Sequence, residues 1–78
     1  MPEPTPVRPI DLSGRVSLLS GECPLFTFEL DQMDVYTTTD TEFAKGPCRD
    51  LKDDKKVRVD GWLMSDLRVR ADKVTFDK

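Results

Sequence analysis

The sequence predicts an all-β fold, a small five-stranded barrel or sandwich. Three observations carry this. Apolar and polar residues alternate with a period near two from residue 13 onward, as in half-buried strands. Turn-forming residues divide the alternating stretch into five short runs at even spacing. No window long enough for a helix carries a helical period.

The runs follow in order. Val16 and Leu18 open the first, among Arg15, Ser17 and Leu19. Gly21-Glu22-Cys23-Pro24 interrupts it. Phe26, Phe28 and Leu30 then alternate with Thr27 and Glu29, the clearest half-buried strand of the chain. Asp31-Gln32-Met33-Asp34 is a tight turn, since Asp tolerates left-handed backbone. Val35 and Tyr36 begin a β-branched run, Val-Tyr-Thr-Thr-Thr. Residues 40–52 read as loop and short helical turn, with Phe43 and Leu51 as inward anchors. Val57 and Val59 alternate with Arg58 and Asp60, and Trp62-Leu63 continue past Gly61. After Ser65-Asp66, Leu67, Val69 and Ala71 alternate with Arg68, Arg70 and Asp72. The phase slips by one at Asp72-Lys73, leaving Val74 and Phe76 apolar, which is the mark of a β-bulge. The expected core is Val16, Leu18, Phe26, Phe28, Leu30, Val35, Val57, Val59, Val69 and Val74.

Size bounds the rest. With 78 residues there is room for one domain, and its core is marginal. The two cysteines stand beside prolines, Cys23-Pro24 and Pro47-Cys48, each in a turn next to a strand. A Cys23–Cys48 disulfide would clip two loops together and place the domain in an oxidising compartment. The alternative is two separately buried thiols. Four of the six prolines fall in residues 1–9, which favours extended polyproline conformation. Residues 1–12 are therefore expected to be a flexible proline-rich tether and 13–78 the folded domain. No stretch is apolar and long enough to span a membrane, and no secretion signal is present. On the exported reading, that signal has been removed.

The order Gly14-x-Val16, Gly21-x-Cys23-Pro24 before Phe26-Thr27-Phe28, and Val35-x-Thr37 with Thr41-x-Phe43 is one half of a pattern. Gly46-x-Cys48-x-x-Leu51, Val57-x-Val59-x-Gly61 and Val69-Arg70-Ala71-x-x-Val74 complete it. Over residues 13–76 this resembles an uncharacterised bacterial family of short, exported, five-stranded domains. The resemblance implies an OB-like barrel and a periplasmic or envelope-tethered location. It implies no catalytic residues. The family has glycine near positions 32 and 54, where this chain has Gln32 and Asp54.

Chemistry is sparse. The net charge of −3 argues against general nucleic-acid binding. The absence of histidine removes the commonest base and metal ligand. No metal or cofactor is expected, and the Asp31/Asp34 and Asp50/Asp53/Asp54 clusters read as solvated turns. The chain is predicted not to be an enzyme. Strand alternation turns Arg58, Arg68 and Arg70 outward, and Arg15 likewise. In an OB-like barrel these strands are neighbours, so the four arginines are expected to form one stripe with Trp62 at its edge, able to grip an anion. Nearby Asp60, Asp66 and Asp72 favour instead exposed cross-strand ion pairs, which are common and weakly stabilising. The expected function is a non-enzymatic envelope or periplasmic binding module for a protein or glycan. One alternative is oligonucleotide or polyanion binding through the arginines. The other is a structural spacer within a longer envelope protein. A monomer is expected, because Lys and Arg on the later strands discourage edge pairing.

Overall fold

A computed structural model describes residues 3–77. The described chain is all-β apart from one short 3₁₀ turn. Its strands are β1 (Pro6–Arg15), β2 (Ser17–Glu22), β3 (Leu25–Leu30), β4 (Met33–Ala44), β5 (Lys56–Met64) and β6 (Val69–Phe76). They form one sheet in the order β1-β5-β6-β4-β3-β2. The β4–β6 pair is parallel and the other pairs are antiparallel. The expectation of five strands closed into a barrel is thereby corrected: there are six, and no ladder joins β1 to β2. Those two strands sit at opposite ends of the sheet, yet only Val16 separates them in sequence. The sheet therefore curls. Val16 donates its N–H to the Lys55 carbonyl (2.9 Å) and accepts from the Asp54 N–H (2.6 Å), with its side chain buried.

The extra strand comes from the proline-rich segment. From Pro6 on, it is not a tether but an edge strand along β5, with Ile10 opposite Gly61 and Leu12 opposite Val59. An edge tolerates proline because the missing N–H costs no ladder bond on the open side. Further back, the Thr5 N–H donates to Ser65 Oγ (3.0 Å) and the Thr5 carbonyl accepts from the Ser65 N–H (2.9 Å). The boundary at 12/13 thus falls inside β1. Ile10 and Leu12 alternate in phase with Val16, the one sequence signal that marks this strand.

Nine of the ten expected core residues are buried, joined by Leu12, Leu51, Met64, Ala71 and Phe76. Leu18 is the exception, at 76% exposed with φ of 54°. The β2–β3 register slips between Ser17 and Ser20, so an extra residue rotates Leu18 outward and turns Leu19 toward the core. Leu19 is anchored there by its N–H, which donates to Asp53 Oδ1 (2.9 Å). Leu67 leaves the alternation for another reason. It takes the left-handed position (φ 69°) of the β5–β6 hairpin loop, where Leu67 N–H donates to the Met64 carbonyl (3.0 Å). The expected bulge on β6 is present. Lys73 pairs with Asp60 and Ala71 with Gly61, so Asp72 has no partner on β5.

Asp31 and Gln32 form the two-residue β3–β4 turn, with φ of 51° and 66°. A left-handed conformation costs a non-glycine residue about 1–2 kcal/mol, and turns of this kind favour glycine second. Gln32→Gly is expected to raise the melting temperature by about 5 °C. An unchanged or lower melting temperature by circular dichroism contradicts this turn geometry.

The expected loop at 40–52 is shorter than its sequence indicates. Strand β4 runs on to Ala44, and a 3₁₀ turn covers Cys48–Asp50. The β4–β6 ladder skips residues 38–41. Across this gap Thr41 Oγ1 donates to the Ala71 carbonyl (2.6 Å) and accepts the Thr38 N–H (2.8 Å), keeping buried polar groups satisfied. Phe43 stacks on Phe76 (6.3 Å) and meets Phe26 edge-on (6.4 Å). The Cys23–Cys48 disulfide (Cα–Cα 5.8 Å) ties the β2–β3 turn to the loop after β4. Beside it, Thr37 Oγ1 accepts the Phe26 N–H (2.8 Å) and donates to the Pro24 carbonyl (2.5 Å).

Candidate functional site

Register places one row of side chains across five strands. Pro9 is opposite Trp62, Trp62 opposite Arg70, Arg70 opposite Tyr36, and Tyr36 opposite Thr27. Directly opposed residues share a face of the sheet. That face is the outer one, because Phe26, Phe28, Val35, Val69 and Ala71 alternate with it and fill the core. Trp62, Arg70 and Tyr36 are half-buried there. Arg68 joins them from just before β6, with its guanidinium 4.7 Å from the Tyr36 ring centre. A guanidinium over an aromatic face is attracted by the ring quadrupole and held in a defined orientation.

The four arginines do lie on neighbouring elements, but they do not make a continuous stripe. Arg58 is opposite Ser13 and Thr75, whereas Arg70 is opposite Trp62. Arg58 and Trp62 are four positions apart on β5, about 13 Å of strand. Arg15 and Arg58 belong to one end of the sheet, and Arg68, Arg70 and Trp62 to the other. Three of the four have aspartate partners: Arg15–Asp54 at 3.5 Å, Arg58–Asp60 at 3.9 Å and Arg70–Asp72 at 3.5 Å. The first two pairs are well exposed, so they contribute little to stability. Arg68 has no carboxylate within ion-pair distance among the described residues. It is the arginine of the set that forms no ion pair among the described residues.

The Arg58 end holds a depression of about 540 Å³ whose lining includes Lys45, Lys56, Arg58, Ser13 and Thr75. Asp11 and Asp77 also line it, and Asp77 is paired with Lys56 at 3.4 Å. Close by, Asp60 faces Asp11 across the β1–β5 ladder. A hydrogen bond between the two carboxyls raises the Asp60 pKa above its ordinary 3.8; burial and the Asp11 charge add to this, while Arg58 and Lys73 oppose it. An acid with a raised folded pKa holds its proton more tightly folded than unfolded. Its stabilisation is present at low pH and is lost as pH climbs from 3.8 through the raised value. Asp11→Asn removes the carboxyl whose hydrogen bond and charge raise the Asp60 pKa. The melting temperature of this variant relative to wild type is expected to rise with pH across the carboxylate range. A flat difference in a pH series of melts would contradict the coupling.

The Asp50/Asp53/Asp54 cluster is spoken for in part, since Asp53 accepts from Leu19 and Asp54 pairs with Arg15. The neighbours of Tyr36 were the part hidden from sequence. Its outward direction follows from strand alternation, but its position between Arg70 and Arg68 depends on β4 pairing in parallel with β6. Compared with family models, with curated proteins and with solved structures, the chain shows no match.

Proposed function

We propose that this chain is a non-enzymatic binding module of the cell envelope or periplasm. On this reading its ligand face is the outer row Trp62–Arg70–Tyr36, with Arg68 above it. The observation that carries the proposal is the Arg68 guanidinium, stacked on Tyr36 and without a carboxylate partner among the described residues. Arginine, tyrosine and tryptophan are the side chains that most often dominate binding energy at interfaces. The disulfide supports an extracytoplasmic location, because such bonds are rare in reducing compartments. We also take the sheet to be an OB-like variant, in which β1 and β2 are the two halves of one bent first strand. Their separation by Val16 alone and the parallel β4–β6 pair support this.

The test is site-specific photo-crosslinking. A photoreactive residue replaces Trp62 in one variant and Asp31, in the turn beyond the row, in another; both are exported to a bacterial periplasm. A discrete adduct from position 62 with none from 31 is the expected result. Equal labelling, or none, refutes the assignment of this face.

Polyanion binding is a second reading, favoured by the basic depression beside Arg58. It requires salt-dependent affinity for heparin that weakens on Arg58→Ala. Amide NMR shifts that do not move with heparin at low salt eliminate it.

A further inference from the structure

Two shallow depressions lie end to end along β3 and β4. They measure about 270 and 250 Å³, and both are lined by Thr27 and Arg68. Arg68 therefore divides a single groove. Its halves differ in charge. In one, with Ser20, Leu25 and Tyr36, Arg68 is the only ionised side chain. In the other, Glu29 and Asp34 stand directly opposite each other in the β3–β4 ladder. Each half has an exposed leucine at its margin: Leu25, 54% exposed, and Leu18, 76% exposed. Leu18 is held outward in left-handed backbone, an arrangement that costs stability and yields no core packing.

We propose that this groove binds an extended peptide segment of a partner protein, with one of its carboxylates against Arg68 in the acid-free half and a basic side chain over Glu29 and Asp34. The inference rests on the reading of this face as the binding surface and adds the ligand class. Charge complementarity selects that class. A polyanion is attracted in one half and repelled by two carboxylates in the other. A sugar ring finds the Tyr36 face already taken by Arg68. The exposed leucines offer apolar contact to flanking aliphatic side chains. Leu25 to Glu29 spans about 13 Å, roughly four residues of extended chain. Side chains reaching one face of an extended peptide are an even number of residues apart. The bound segment should therefore carry its acid and base at such a spacing.

The experiment is selection of a displayed random-peptide library on the immobilised oxidised domain, followed by calorimetry with synthetic copies of the enriched peptides. The expected result is an acid and a base at even spacing, with affinity falling about tenfold when the peptide's acid is changed to its amide. Arg68→Gln should produce a similar loss and Arg68→Lys a partial one. The peptide-side change keeps the test valid even if an Arg68 variant folds poorly. Enriched peptides lacking an acid, or indifferent to its removal, overturn the proposal. No enrichment overturns it too. If Trp62 crosslinks still form in that case, the face remains a binding surface for another class of ligand.

Discussion

Replacing both cysteines by alanine is expected to lower the melting temperature by about 15 °C or more relative to the oxidised domain. The cysteines are 25 residues apart, and closing a loop of this length removes about 3.5 kcal/mol of chain entropy from the unfolded state. A domain of this size has only about 5 kcal/mol to lose. Melting midpoints for small domains move by about 4–8 °C per kcal/mol. The double substitution is the informative one, since either single variant leaves a thiol free to form dimers. Position adds to the entropy argument. The bridge fastens the β2–β3 turn, and the adjacent Thr37 hydroxyl bonds the Pro24 carbonyl and the Phe26 N–H. Loosening the turn should therefore disturb β3, which forms one wall of the proposed groove. A double variant that melts within about 3 °C of the oxidised protein would mean that the core alone carries the fold. The oxidising compartment would then lose its physical basis.

Gly61→Ala is expected to cost about 3 kcal/mol in urea denaturation, near the top of the range for overpacking. Backbone flexibility is not the cause. A methyl group at Gly61 would collide with the carbonyl oxygen of Arg70 and would lie 3.2 Å from the Ala71 Cα. Both neighbours are main-chain atoms of β6, so no side chain can swing aside. The contact sits next to the Asp72 bulge, where the register shifts between the Asp60–Lys73 and Gly61–Ala71 pairs. Relief requires β6 to shift, and Arg70 and Val69 move with it. Loss of stability should therefore be accompanied by displacement of the Trp62–Arg70–Tyr36 row, the proposed ligand face. A variant of wild-type stability would show that the two strands do not approach this closely.

Much of the sheet was legible because strand alternation is a local property. The in-out phase of Phe26, Phe28 and Leu30 follows from three neighbouring residues, and so does that of Val57 and Val59. The slip at Asp72-Lys73 was readable for the same reason, since a bulge changes the phase of the pattern itself. Leu18 and Leu67 were misread where the pattern continues but the backbone departs from it. Each takes left-handed φ to meet a partner strand or a hairpin loop. Prolines concealed β1, because their cost depends on whether the strand is central or at an edge, and only the sheet order decides that.

The sequence by itself determined an all-β domain, the inward faces of β3, β5 and β6, and outward directions for Arg58, Arg70 and Tyr36; it left two states open for the cysteines, which the structure joins. Tertiary structure alone decided that residues 6–15 pair with β5 and that β4 lies parallel to β6. It thereby set Arg70 between Trp62 and Tyr36, and left Arg15 and Arg58 at the far end of the sheet. The reason is physical. A side chain's direction depends on its own strand, whereas its neighbours across the sheet depend on hydrogen-bond ladders between segments far apart in the chain.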